Sequence, residues 1–240
     1  MGRAGRAELV PVRGALPADV LFERLQRRTA SRATAPCGGE EVKLMEFGRV
    51  VRRRRMVRTF HDRPIAPGAV GRILEAGRRA PSAGFTQGVA FLVLEGPEET
   101  AGFWRCVSSG GDWPRPGLRR APLVVVPLAS KQAYLDRYAE PDKGWTDRDE
   151  ARWPVPFWIV DAAFASMLML LTAVDEGLGA LFLGLDPPDP LALHATYGVP
   201  RQFQAIGAIA VGHPAPDPVV SSARTRPRRP VEEIVHRGRW

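Results

Sequence analysis

Cysteine and histidine are scarce in this 240-residue chain. Its two cysteines are Cys37 and Cys106, and its four histidines are His61, His194, His213 and His236. Two cysteines cannot staple a fold of this size. Neither they nor the histidines fall at zinc-site spacings, so no metal is expected. Cys106 stands alone without activating neighbours, and there is no Gly-x-Ser-x-Gly elbow, so no catalytic side chain is expected either. No apolar run follows the first basic residues, and no secretory signal is read there. A reduced, cytoplasmic setting follows from these absences, and no internal repeat divides the chain.

Positive charge is present in excess, with 34 Lys/Arg against 26 Asp/Glu. A net +8 invites a nucleic-acid reading, but the charge is unevenly spread. Residues 1–60 carry 14 basic against 6 acidic side chains, and residues 221–240 carry 6 against 2. The 14 against 18 left in residues 61–220 make the body mildly acidic. The basicity is thus two local clusters rather than a property of the whole surface, and no nucleic-acid partner is expected. At 45% hydrophobic and 25% charged the composition is that of a globular protein.

Residues 1–44, rich in Arg, Ala, Gly and Pro, read as a poorly ordered extension, with a short helix suggested at Pro17–Leu25. Met45 opens a more regular pattern, so the functional domain is set at 45–240. Glu46–Arg55 has helical spacing, and Pro67 suits the start of a helix with Val70, Ile73, Leu74 and Gly77 on its apolar face. A short helix is expected over Glu98–Val107. Strands are expected at Ala90–Leu94, Leu123–Leu128, Leu178–Leu185 and Ala205–Val211. Ser130–Pro156, polar but carrying Tyr134, Tyr138, Trp145 and Trp153, reads as an ordered flap. Val155–Val174 is long enough to span a membrane. Asp161 inside it, Pro156 near its start and no flanking basic asymmetry favour a helix buried in a core or subunit interface, and no membrane is expected.

Four stretches carry potential chemistry. Arg54-Arg55-Met56-Val57-Arg58 places several guanidiniums at a helix boundary, an arrangement suited to a dianionic phosphate. Such a run is more often a solvated face. The same applies to the tail Arg226-Pro227-Arg228-Arg229, although two basic clusters can converge on one anion. Ala80–Gln87 lets a planar ligand approach the backbone, with Ser82 and Gln87 as polar contacts; an empty turn fits it as well. Gly177–Gly184 is neither a P-loop nor a dinucleotide fingerprint, and alone it is a buried strand.

Taken in order, RRMVRTFHDRPI (Arg54–Ile65), the Gly77–Gln87 stretch, the long apolar helix with Asp161, EGLGALFLG (Glu176–Gly184) and RPRRPVEEIVH (Arg226–His236) resemble the FMN-dependent nitroreductase family. That resemblance implies an α+β fold, a mixed β-sheet flanked by helices, in an intertwined homodimer with FMN at the subunit interface. It implies that Arg54, Arg55 and Arg58 hold the phosphate, ribityl or pyrimidine end of FMN, with Met56 contributing its backbone. Arg226 and Arg228 would close on the phosphate, Ser82, Phe85 and Gln87 would line the ring, and Leu183 and Gly184 would face its reactive nitrogen. Met56 stands where the family often has Ser, Phe85 where Asn is common, and Gly88-Val89 where Pro-Trp is common.

The function expected from the resemblance is FMN-dependent, ping-pong hydride transfer from NADH or NADPH to a small-molecule acceptor, a nitroaromatic, quinone or other conjugated compound. The chemistry then sits on the cofactor, and the protein binds, orients and excludes water. Two alternatives stay open. One is a dedicated flavin-dependent dehydrogenase or reductase of one metabolite. The other is a non-catalytic flavin- or nucleic-acid-binding protein.

Overall fold

Leu123–Ala129 (β2) is an unbroken apolar run, and in the computed structural model every one of its residues is buried. The structure describes residues 45–108, 113–185, 191–217 and 222–240. The extension expected over 1–44, its short helix and Cys37 lie outside them.

β2 is a central strand. Val89–Glu95 (β1) pairs with it on one side, and Ala208–Gly212 (β5) on the other. Gly179–Leu183 (β3) completes the order β1-β2-β5-β3, and the short Gln204–Ala205 (β4) also pairs with β2. All of these pairings are antiparallel. The parallel component is an isolated bridge between Met56 and Ala180, beside which the Val57 N–H donates to the Ala180 carbonyl at 3.0 Å.

Alternation along β2 sends side chains to two cores. Val124, Val126 and Leu128 pack with Phe103, Trp104 and Val107 of Gly96–Val107 (α3). Leu123 and Val125 pack with Val70 and Ile73 of Pro67–Arg78 (α2) and Met169 and Leu170 of Phe157–Asp175 (α6). α6 has the length and composition of a membrane span, but half of that window is buried inside the fold. Its contact with α2 is close because of Gly77, where a Cβ would run into Met169 and come within 3.2 Å of Phe91.

Helix ends follow local chemistry. Phe47–Arg53 (α1) is shorter than the spacing predicts. It starts where Glu46 accepts hydrogen bonds from the Gly48 and Arg49 N–H groups, at 2.9 and 3.0 Å. α6 stops at Glu176, followed by Gly177 at φ +73.

One expectation is corrected and one is given detail. Ala205–Val211 is not one strand, because Gly207, at φ +153, separates β4 from β5. Ser130–Pro156, read as an ordered flap, has secondary structure of its own. It contains a helix, Lys131–Ala139 (α5), capped by Ser130, and a 3-10 turn at Glu150–Arg152. The short helices Pro116–Arg119 (α4), Ala192–Tyr197 (α7) and Ser222–Thr225 (α8) are the remaining α-helices among the described residues.

Candidate functional site

The chain leaving α1 is drawn alongside β3 by the Met56–Ala180 bridge, and this fixes where the arginine run faces. Arg52, Arg54, Arg55, Met56, Val57 and Arg58 line a cavity of about 950 Å³. Its other wall is the C-terminal segment, with Pro214, Ala215, Asp217, Ser222, Ala223 and Arg228. The volume lies within the range of small-molecule sites, about 300–1,000 Å³.

This cavity gathers positive charge. Among the described residues, no ion pair joins Arg53, Arg54, Arg55, Arg58 or Arg228 to a carboxylate, and Arg52 reaches Glu46 only at 3.7 Å on the exposed surface. Arg58 Nη1 donates to the Met56 carbonyl at 3.2 Å, which holds the turn together. Arg54 Nη1 is buried without a hydrogen-bond partner. A buried guanidinium nitrogen left unpaired is costly, and an anion in the cavity relieves both that cost and the repulsion among the arginines.

Ser82 and Gln87 line a second, smaller cavity of about 150 Å³, with Asp161 and Ala165 of α6 and Val89 and Phe91 of β1. The loop above it is unusual. Gly84, Phe85 and Gln87 have φ of 61, 54 and 55. For bulky residues such backbone costs of order 1–3 kcal/mol each, and it persists where surrounding contacts over-determine it. Those contacts are present. The Ala83 N–H donates to Asp161 Oδ2 at 2.8 Å, and the Gln87 N–H donates to Ser82 Oγ at 2.9 Å. Arg137 Nε donates to the Gly84 carbonyl at 3.0 Å, and the Tyr138 ring lies so close that a Cβ on Gly84 would meet it at 2.8 Å.

Asp161, met in the sequence as a polar interruption of an apolar helix, is buried and ties this loop to the aromatic insert. Its Oδ2 also accepts from the Tyr134 hydroxyl at 2.6 Å. Burial first, and then that bond to the carboxylate, push the Tyr134 phenol above its ordinary pKa. The insert's aromatics pack on one another: Tyr138 lies 4.5 Å from Trp153 and 4.9 Å from Trp145 between ring centroids, and Trp145 lies 5.4 Å from Trp153. Trp153 joins them to a third core, in which Tyr134 packs with Ala129 of β2 and Trp158 and Ala162 of α6, and Ala83 of the loop packs against it.

The structure therefore brings Arg54, Arg55, Met56, Arg58 and Arg228 around one cavity, and Ser82 and Gln87 around another. Arg226, Phe85, Leu183 and Gly184 line neither of these two. Leu183 ends β3 against the first core, Gly184 is exposed just after it, and Phe85 is largely exposed. Asp217, Ser222 and Ala223 line the basic cavity without any signal in the sequence. Arg52 belongs to a run already visible there. Asp161's partner Tyr134 was hidden because the two lie 27 residues apart.

A model of the Nitroreductase family matches residues 51–110 and 109–213. A candidate NADH dehydrogenase/NAD(P)H nitroreductase of Archaeoglobus fulgidus is 26% identical over 191 residues, covering 78% of this chain and 94% of that protein. An NADPH-dependent oxidoreductase of Staphylococcus aureus is 24% identical over 200 residues, covering 80% and 72%. Among solved structures, an FMN-dependent nitroreductase of Clostridium difficile R20291 superposes with a TM-score of 0.58 at 20% identity, covering 80% of this chain and 98% of that one.

Proposed function

This chain belongs to the Nitroreductase family, and from that premise we propose that it is an FMN flavoprotein passing hydride from NADH or NADPH to small conjugated acceptors, nitroaromatics and quinones among them, in a ping-pong cycle. The names of the S. aureus NADPH-dependent oxidoreductase and the C. difficile FMN-dependent nitroreductase support the donor and the cofactor. The observation that carries the reading is the basic cavity. Among the described residues, Arg54, Arg55, Arg58 and Arg228 in its lining have no carboxylate partner, and Arg54 Nη1 is buried without a hydrogen-bond partner.

These residues fit the phosphate end of FMN. Arg54, Arg55 and Arg228 offer charge-assisted donors to a dianion, with Arg226 two residues from Arg228 along the chain and the Met56 backbone shaping the wall. Arg58 brings positive charge toward the pyrimidine end, where it favours electron uptake. Ser82 and Gln87 supply polar contacts to the ring, and the chain at Leu183–Gly184 offers backbone amides to it. Bound FMN supplies the hydride acceptor and donor of the cycle. No protein nucleophile is required.

The functional unit in this reading is a homodimer of the 45–240 domain with a site at each interface. Two observations favour it. The arginine cavity and the Ser82–Gln87 cavity are separate within one chain, as expected if a second copy completes each site. Phe47 and Val51 of α1 and Phe164 and Met167 of α6 are exposed, apolar side chains that a second copy would cover.

The test is the absorption spectrum of the purified protein with added FMN, followed anaerobically on addition of NADH or NADPH. A flavin band that bleaches with either donor and recovers with an acceptor is expected. Protein that is colourless and takes up no FMN overturns the reading. Turnover with one metabolite and silence across an acceptor panel would favour the dedicated reductase.

A further inference from the structure

Phe85 is the least explained large side chain of the loop. Its φ of 54 is left-handed, a region that bulky residues avoid for steric reasons. Its ring gains little from packing, being 76% exposed. Glycine would make the same turn without strain. Folding alone therefore gives no reason for phenylalanine here.

The backbone beneath the ring is held from several directions. The Phe85 N–H donates to the Ser82 carbonyl at 2.9 Å, and the Thr86 hydroxyl donates to the Ala83 carbonyl. The flanking Ala83 N–H and Gly84 carbonyl are held by Asp161 and Arg137, side chains of two different helices. An aromatic ring on so fixed a base loses little freedom when it meets a ligand. Its chain neighbours Ala83, Gly84, Thr86 and Gln87 carry no second large apolar side chain, so the loop itself offers one ring. That matches one face of a planar small molecule and falls far short of the roughly 800 Å² per partner of a stable protein interface. Ser82 and Gln87, lining the small cavity of the same loop, are available to a polar substituent.

Resting on the flavoprotein reading, we propose that Phe85, which the family resemblance assigns to the flavin ring, is instead the acceptor-stacking residue, its ring held out on a locked left-handed turn to take the face of a planar, conjugated acceptor. It is then a specificity-determining residue: aromatic acceptors gain from the ring and small aliphatic ones do not.

The experiment uses full-length, FMN-loaded protein and its Phe85→Gly and Phe85→Tyr variants. Calorimetry measures the Kd of 2-naphthoate, a planar aromatic anion that the enzyme cannot reduce, alongside KM for a nitroaromatic, FMN content and melting temperature. In Phe85→Gly, Kd and KM rise roughly tenfold through loss of the stacked ring. FMN content holds, and the melting temperature stays level or rises because glycine accepts the backbone. Phe85→Tyr stays close to the parent. An unchanged Kd for 2-naphthoate in Phe85→Gly overturns the proposal, as does loss of FMN or of subunit association in that variant, which would make the ring a cofactor or subunit contact. A parent that takes up no FMN is a different result, and it overturns the flavoprotein reading itself.

Discussion

The Tyr134 hydroxyl donates to Asp161 Oδ2 at 2.6 Å, and the same oxygen accepts the Ala83 N–H at 2.8 Å. One carboxylate oxygen thus joins three parts of the chain: α5, the long helix α6 and the strained loop before β1. Both side chains are buried, with little solvent to replace a lost partner. The aromatic insert and the loop consequently respond together when this bond is broken.

Tyr134→Phe removes one donor from a buried acceptor and keeps the packing of the ring. It is expected to cost about 1–3 kcal/mol of stability, the usual penalty for leaving a buried polar group short of a partner. Asp161→Ala is expected to cost more, since it strips both Tyr134 and the Ala83 N–H of their acceptor. Chemical denaturation gives both values. Equal stability of Tyr134→Phe and the parent would show that the bond is not maintained in solution.

The same pair sets an alkaline limit. A tyrosine in the unfolded chain ionises near pH 10, whereas folded Tyr134 holds its proton to higher pH because it is buried and bonded to Asp161. Above about pH 10 the unfolded state loses a proton that the folded state keeps. The contribution is therefore fully present below that pH and declines as pH rises past it. Tyr134→Phe, with no proton to lose, is expected to show a shallower fall in stability between about pH 9.5 and 11, roughly the range in which an unperturbed tyrosine titrates. Melting temperatures measured across the window check it.

Arg54 and Arg228 face the basic cavity from its two walls, and Arg226 does not line it. Charge-assisted hydrogen bonds to an anion contribute about 1.5–3 kcal/mol each. Arg54→Ala and Arg228→Ala are therefore each expected to weaken FMN binding by roughly tenfold to a hundredfold, and Arg226→Ala by much less. Fluorescence titration of apoprotein with FMN ranks the three. An Arg226→Ala defect as large as that of Arg228→Ala would mean that the tail closes differently around the cofactor.

Much of this architecture is legible in the sequence, for physical reasons that differ by element. β2 is readable because a central strand covered on both faces is apolar throughout, and α2 because Val70, Ile73 and Gly77 recur at helical spacing. The arginine run is readable because charge of one sign in a row is conspicuous. α5 is not, since its one fully buried side chain, Tyr134, stands among Lys131, Gln132, Asp136 and Arg137 and leaves no apolar stripe. The lock on the Ser82–Gln87 loop is hidden for another reason. Its anchors, Asp161 and Arg137, are distant in sequence and are brought together only by tertiary packing.

Gly207 marks where sequence periodicity fails most directly, and its requirement for glycine has two separable sources. Its φ of +153 suits glycine, and an added Cβ would lie 2.7 Å from the Leu183 carbonyl oxygen and 2.5 Å from the Phe182 ring. The carbonyl belongs to the backbone of β3 and cannot swing away as a side-chain end would. Gly198 offers a comparison: it is also left-handed, at φ +63, but open space surrounds it. Gly198→Ala is expected to cost only the backbone strain, about 1–2 kcal/mol. Gly207→Ala adds an overpacking cost of about 1–3 kcal/mol and pushes the end of β3 outward at Leu183, next to Gly184. FMN affinity should fall in Gly207→Ala and hold in Gly198→Ala. Denaturation midpoints and FMN titrations on the two variants test strain against crowding. Equal losses in both would leave the close approach of Gly207 to β3 without energetic consequence.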